Sequence, residues 1–225
     1  FDRTGTTWRL TAVLALEPPA LQTNATLGRG LTISRDGTMI LAQSYGTLGG
    51  IRTYVLGASG WTEESVLSPP TPGGFVLSPD HLRLAIGAGG ATVGGRTNAG
   101  AVYLYSHVGT SWSLGPTVTP PDSTAGDGFG GGVSFDDGGT TIAIGVSSDD
   151  HAGGIDAGSP RIVSVPLAPE GDACSDATAC ASGFCVDGVC CTSACGGGST
   201  TDCQACSAAL TGGASGACVA LSATA

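Results

Sequence analysis

The sequence contains no lysine. All eight basic residues are Arg, against 18 acids, giving a formal charge of −10 and an isoelectric point near 4.3. A nucleic-acid binder needs a basic footprint gathered on one face, and eight scattered Arg do not build one, so nucleic acid is excluded as a partner. A Walker-type phosphate loop also needs a Lys. Charged residues are 12% of the chain and aromatics 5%, whereas soluble domains carry roughly 25% charged residues. No run approaches the ~20 continuous apolar residues of a membrane helix, so no transmembrane segment is expected. Cysteine is missing from residues 1–173. A sustained 3.6-residue hydrophobic period is missing too, so helices should be nearly absent.

What is present points to β structure. Hydrophobic residues make up 41% of the chain and the mean hydropathy is +0.24, which argues against disorder driven by charge. Gly accounts for 39 of 225 residues, favouring turns and close backbone approaches. Among the acids, Asp outnumbers Glu 14 to 4, and Asp prefers turns and loops. The chain opens on Phe1 rather than Met, which reads as a processing or truncation edge.

Internal repeats organise the first three quarters. Trp8, Trp61 and Trp112 stand 53 and 51 residues apart. Each is followed by a β-rich run, a loop, and an alternating strand ending in an acidic turn at Asp36-Gly37, Asp80-His81 or Asp136-Asp137-Gly138. A further strand follows each turn (Met39–Ala42, Arg83–Ala88, Thr141–Val146), and each unit closes on a Gly and another β run. Four short strands per ~50 residues is the pattern of a propeller blade. The expected architecture is therefore all-β: three four-stranded β-propeller-type blades over about 7–56, 61–105 and 112–167, with a β-sandwich as the alternative. Three blades do not close a ring, which normally takes 4–8. Open β edges at both ends would seek partners, either further chain or other copies.

Phe129-Gly130, the hairpin Asp136-Asp137-Gly138 and Ile142-Ala143-Ile144-Gly145 resemble the FG-GAP repeat of integrin α-chain propellers, and Gly100 to Trp112 is similar to bacterial secreted versions. Gly49-Gly50, Tyr54 and Trp61 also partly fit the kelch repeat, another propeller. The resemblance covers about residues 1–167. It implies Ca²⁺ held in Asp-rich hairpin loops, and Ca²⁺ takes six to eight oxygen ligands. Asp136 and Asp137 in the hairpin, with Asp122 and Asp127 in the preceding loop, are the candidate ligands. The D-x-D-x-D-G spacing is missing from all three repeats, so ordinary turn aspartates are the preferred reading and no cofactor is assigned.

After a linker at 168–173, residues 174–225 carry all nine cysteines: Cys174, Cys180, Cys185, Cys190, Cys191, Cys195, Cys203, Cys206 and Cys218. Between Cys174 and Cys218 that is nine in 45, about 20%, where ~8–10% already signals a disulfide scaffold. Zinc is the rival chemistry, but only Cys203 and Cys206 have C-x2-C spacing. Disulfides of unassigned pairing are expected, in an oxidising extracellular compartment. Nine is odd, so one thiol has no partner among these residues. The core Gly183-Phe184-Cys185-Val186-Asp187-Gly188-Val189-Cys190-Cys191 resembles a Cys-rich module of large secreted proteins from social soil bacteria.

Catalytic signatures are missing: there is no Gly-x-Ser-x-Gly elbow and no His-Glu-x-x-His. Gly126 to Gly131 matches G-x-G-x-x-G but leads into a strand, leaving no helix N-terminus for a phosphate. His81 falls in the second repeat, His107 between the second and third, and His151 in the third. His151 follows Asp149-Asp150, an arrangement conceivable for acid–base work, with a solvated loop as the preferred reading. The expectation is a secreted or cell-surface, non-enzymatic recognition or adhesion protein whose loops bind a protein or glycan. The rival is a structural subunit of an extracellular fibre or coat, built from copies of itself, and a third reading is a secreted enzyme using propeller-face carboxylates.

Overall fold

The computed structural model describes residues 2–4, 6–9, 12–14, 26–46, 49–108, 110–165, 170–172, 174, 180, 184–193, 204–206 and 216–220. Among them every regular element is a β-strand. The strands lie in several antiparallel sheets, as the sequence led us to expect of an all-β chain. The chain divides into two compact units: Phe1–Asp137 with Ala143–Ile162, and Gly138–Ile142 with Val163–Ala225. No helix of the described residues is long and apolar enough to cross a membrane.

A hairpin of β1 (Asp2–Thr4) and β2 (Thr7–Arg9) comes first. Next, β3 (Thr26–Ile33), β4 (Met39–Tyr45), β5 (Gly50–Gly57) and β6 (Gly60–Leu67) form a four-stranded meander. A second meander comprises β7 (Gly74–Leu77), β8 (Arg83–Ala88), β9 (Ala101–Val108) and β10 (Ser111–Val118). Three strands follow in the order β11 (Phe129–Phe135), β12 (Thr141–Val146) and β13 (Ser159–Ser164).

The sheets group the strands one step later than the repeat boundaries 7–56, 61–105 and 112–167. Trp61 and Trp112 lie on the last strand of a sheet, not on the first strand of the next. The reason is hairpin length. Only Ala58 and Ser59 separate β5 from β6, so the strand bearing Tyr54 must fold straight back on the one bearing Trp61. The Trp phasing itself is regular: Trp8 pairs with Arg3, Trp61 with Leu56 and Trp112 with His107. Each Trp therefore sits five residues after its cross-strand partner, at one shared position of three hairpins.

Within the first unit the two meanders pack face to face. Met39, Leu41, Ile51 and Leu67 of one meet Leu77, Leu84, Ile86 and Tyr105 of the other in a single buried cluster. Each fully buried Leu or Ile contributes about 1.5–3 kcal/mol of apolar transfer. Polar bonds fix the angle of the joint. The Trp112 indole N–H donates to the buried Thr53 hydroxyl at 2.7 Å. His107 Nε2 lies 2.9 Å from Glu64 Oε2 with its ring centroid 4.6 Å from that of Trp112. At Gly30 a side chain would run into the Phe75 ring at 2.8 Å, so the close approach of β7 to β3 depends on glycine there.

The cysteine-bearing unit is built from short pieces. β14 (Cys185–Val186) and β15 (Val189–Cys190) form a hairpin whose Asp187-Gly188 turn has positive φ at both residues, the signature of a two-residue type I′ turn. β16 (Gln204–Ala205) pairs with β17 (Val219–Ala220). Disulfides join Cys174 to Cys185, Cys180 to Cys190, and Cys191 to Cys206. Cys218 is disulfide-bonded as well. Cys195 and Cys203 lie outside the described residues. Cys191 and Cys206 are buried with Val186 and Val189 packed on them. A cross-link closes the core where apolar side chains are few.

Candidate functional site

The meander connectivity sorts the connections of the first unit by end. Tight turns close one end: 34–38 and 57–60 in the first meander, 78–82 in the second. The other end carries the connections 46–49, 68–73, 89–100, 119–128 and 147–158, several of them long. Loops positioned by a rigid sheet scaffold are where binding residues concentrate.

The turn end uses its polar side chains internally. Ser34 Oγ donates to Asp36 at 2.7 Å and accepts the Met39 N–H at 2.8 Å, while Asp36 accepts the Thr38 N–H at 3.0 Å. Ser78 and Asp80 repeat this pattern with Arg83 and Leu82. The Ser34 hydroxyl and the Thr38 amide hold the Asp36 carboxyl down at about 2, against an ordinary 3.8. His81 adds an inter-turn contact to Asp36 at 3.3 Å.

At the loop end the connections are laced together. Gly126, Gly128 and Phe129 donate their N–H groups to Thr97, Asn98 and Ala99 carbonyls at 2.9–3.0 Å. The Arg96 guanidinium donates to the Ser123 carbonyl. Gly100 has φ 87° and its α-carbon faces Phe129 backbone so closely that no side chain fits. The 147–158 loop copies the 89–100 loop: the Val93–Arg96 bridge recurs as His151–Gly154, and Gly100 N–H to Ala91 O recurs as Gly158 N–H to Asp149 O. Arg161 bridges Asp149 at 2.9 Å and Asp122 at 3.2 Å. The Ser159 hydroxyl, which donates to Asp149, and Arg161 hold the Asp149 carboxyl below its usual range. His151 takes the Gly153 N–H on Nδ1 at 2.9 Å, so Nε2 carries the proton toward the Gly158 carbonyl at 3.1 Å. It shapes a loop.

Between the loops of the first meander lies a cleft of about 210 Å³. Gln43, Tyr45 and Gly49 line one side, and Ser68, Pro69 and Pro72 the other. The Arg29 guanidinium stands 5.1 Å over the Tyr45 ring. Gln43 is buried yet borders the opening, and Tyr45 is half-buried. The lining joins Tyr45 to the Gln43 amide and the Ser44 and Ser68 hydroxyls, with Pro69 and Pro72 in the wall.

The four candidate calcium ligands do not share a site. Asp122 and Asp127 stand before β11, at the loop end, while Asp136 and Asp137 follow β11 at the opposite end. Seven residues of extended strand lie between, about 23 Å at ~3.3 Å per residue. Asp127 is buried and accepts both the N–H and the hydroxyl of Thr124 at 2.6 Å. Asp122 pairs with Arg161, and Asp136 and Asp137 are exposed. Among the described residues the sulfur atoms of Cys174, Cys180 and Cys190 lie close enough to hold a metal, but all three are oxidised to disulfides and offer no thiolate.

Comparison of the chain with protein-family models and with curated proteins found no match in either. The cleft escaped the sequence reading because it joins segments some 20 residues apart. The local signal was the glycine and proline clustering at Gly49-Gly50, Pro69-Pro70 and Pro72.

Proposed function

We propose that the meanders are successive blades of a propeller-type array with FG-GAP-like repeats, and that the chain is a secreted or cell-surface recognition protein. The loop end binds a protein or glycan ligand without chemical turnover, and the cleft beside Tyr45 is a concave part of it. The observation that carries this reading is the segregation of long, cross-braced loops to one end while the other is closed by self-satisfied turns. Three described disulfides support an oxidising, extracellular location.

The test is retention of the full chain on a glycan array and on immobilised extracellular-matrix proteins. Tyr45→Ala should weaken any retained binding about tenfold or more, and Asp36→Ala at the turn end should leave it unchanged. Retention on neither surface, or loss with Asp36→Ala alone, overturns the reading.

A further inference from the structure

Two exposed faces of the first unit are the two halves of an interface that the chain already makes internally. The turns fix the equivalence. Ser34, Ser78 and Asp136 begin three matching turns, each with a positive-φ residue three positions on: Gly37, His81 and Gly139. In each, the carbonyl of the residue one further on accepts a backbone N–H from the second strand after the turn or just past it: Thr38 from Leu56, Leu82 from His107, Thr140 from Val165. Counting back from the turns, Leu31 and Ile33 occupy the places of Phe75 and Leu77, and Gly132 occupies the place of Gly30.

Phe75 and Leu77 are seated on the first meander, Phe75 over Gly30. Leu31 and Ile33 are 65% and 60% exposed. At the far side, Gly132 faces open space where Gly30 faces Phe75. Ala143 is exposed near it on β12, and Ile162 is 70% exposed on β13. Strand alternation places Gly132, Ala143 and Ile162 on one face. Neither half carries a charged residue among these positions.

We propose that copies of this chain associate head to tail, with Leu31 and Ile33 of one copy seated on the Gly132–Ala143–Ile162 face of the next, as Phe75 and Leu77 are seated within one copy. The contact is heterologous. It therefore propagates into a ring if the rotation closes and into a filament if it does not. Each copy carries a charge of −10, so added salt strengthens the association by screening repulsion. This inference rests on the equivalence of the sheets and is independent of the recognition reading.

Sedimentation velocity of the full chain across a concentration series is the test. The wild-type chain should form oligomers whose size grows with concentration. Leu31→Asp and Ile162→Asp, both at exposed positions, should each raise the concentration required by about tenfold or more. Mixing the two variants should restore one complex of two chains and nothing larger, because each variant keeps the half that the other has lost. A wild-type chain that stays monomeric to about 100 μM, where micromolar contacts are occupied, overturns the proposal. So does an equal mixture that remains monomeric, or oligomers that neither substitution affects.

Discussion

The sheet-bearing and cysteine-bearing parts of the chain hold β structure by different means. In the first, Leu41, Ile51, Leu84 and Ile86 are fully buried between two meanders, and no cysteine is present before residue 174. In the second, strands of two residues pair beside disulfides, and cystine sulfur is much of what is buried. The difference follows from strand length. Strands of six to eight residues, as β4, β5, β8 and β9 are, present several core-facing side chains each. Two-residue strands present one, so cross-links must limit the freedom of the unfolded chain instead.

Reduction should break this comparison most sharply. Thiol reductant acting on the full chain should abolish amide-exchange protection at the Cys185–Cys190 hairpin. The β4–β5 and β8–β9 amides should keep theirs. Each native bridge removed from such a module typically costs about 2–5 kcal/mol. Equal loss in both regions would show that the sheets depend on the cross-linked part.

Leu84→Ala reverses the asymmetry. Leu84 is fully buried where the two meanders meet, so the cavity should cost about 2–5 kcal/mol. Denaturant titration followed by Trp fluorescence measures the shift, and the disulfides should remain intact by non-reducing mass spectrometry. Trp112→Phe is a smaller change. It removes the indole N–H that satisfies the Thr53 hydroxyl while keeping most of the apolar area, for a loss of about 1–3 kcal/mol. Adding Thr53→Val to that variant should recover part of the loss, since no buried hydroxyl is then left unpaired.

The smallest effect concerns acid. Asp36 titrates at about 2 in the folded chain, below its ordinary 3.8. A depressed carboxyl stabilises the fold above its unfolded pKa and loses that contribution as pH falls through the folded value. Asp36→Asn should therefore lower the melting temperature near neutrality, and the gap to wild type should close between pH 4 and 2. A gap constant over that range would show that the carboxylate charge contributes nothing to the turn.

Strand positions were largely legible because alternation and turn residues are local signals: Met39–Ala42, Arg83–Ala88 and Thr141–Val146 all fall within strands. Their grouping was less so. Both the Ala58-Ser59 hairpin and the Pro-bearing segment after Leu67 read as breaks, and only the first is short enough to force adjacent pairing. Residue type placed Asp122, Asp127, Asp136 and Asp137 together in one candidate site, whereas the length of β11 puts them at opposite ends. The cleft depends on Ser68–Pro72 lying beside Gln43–Ile51, a non-local fact that no single window contains.

The connection at 68–73 joins the outer strand of one meander to the first strand of the next and crosses no ladder within either sheet. A proteolytic cut there would leave the ladders of both meanders whole, whereas a break at Ala58-Ser59 would separate paired strands. Because Ser68, Pro69 and Pro72 also wall the cleft, the cut chain would keep its ladders and lose the continuity of that wall. Such a cut would separate what the ladders hold from what the cleft wall holds, apart from the Tyr103–Thr71 hydroxyl bond and the close seat of Gly73 on Gly87.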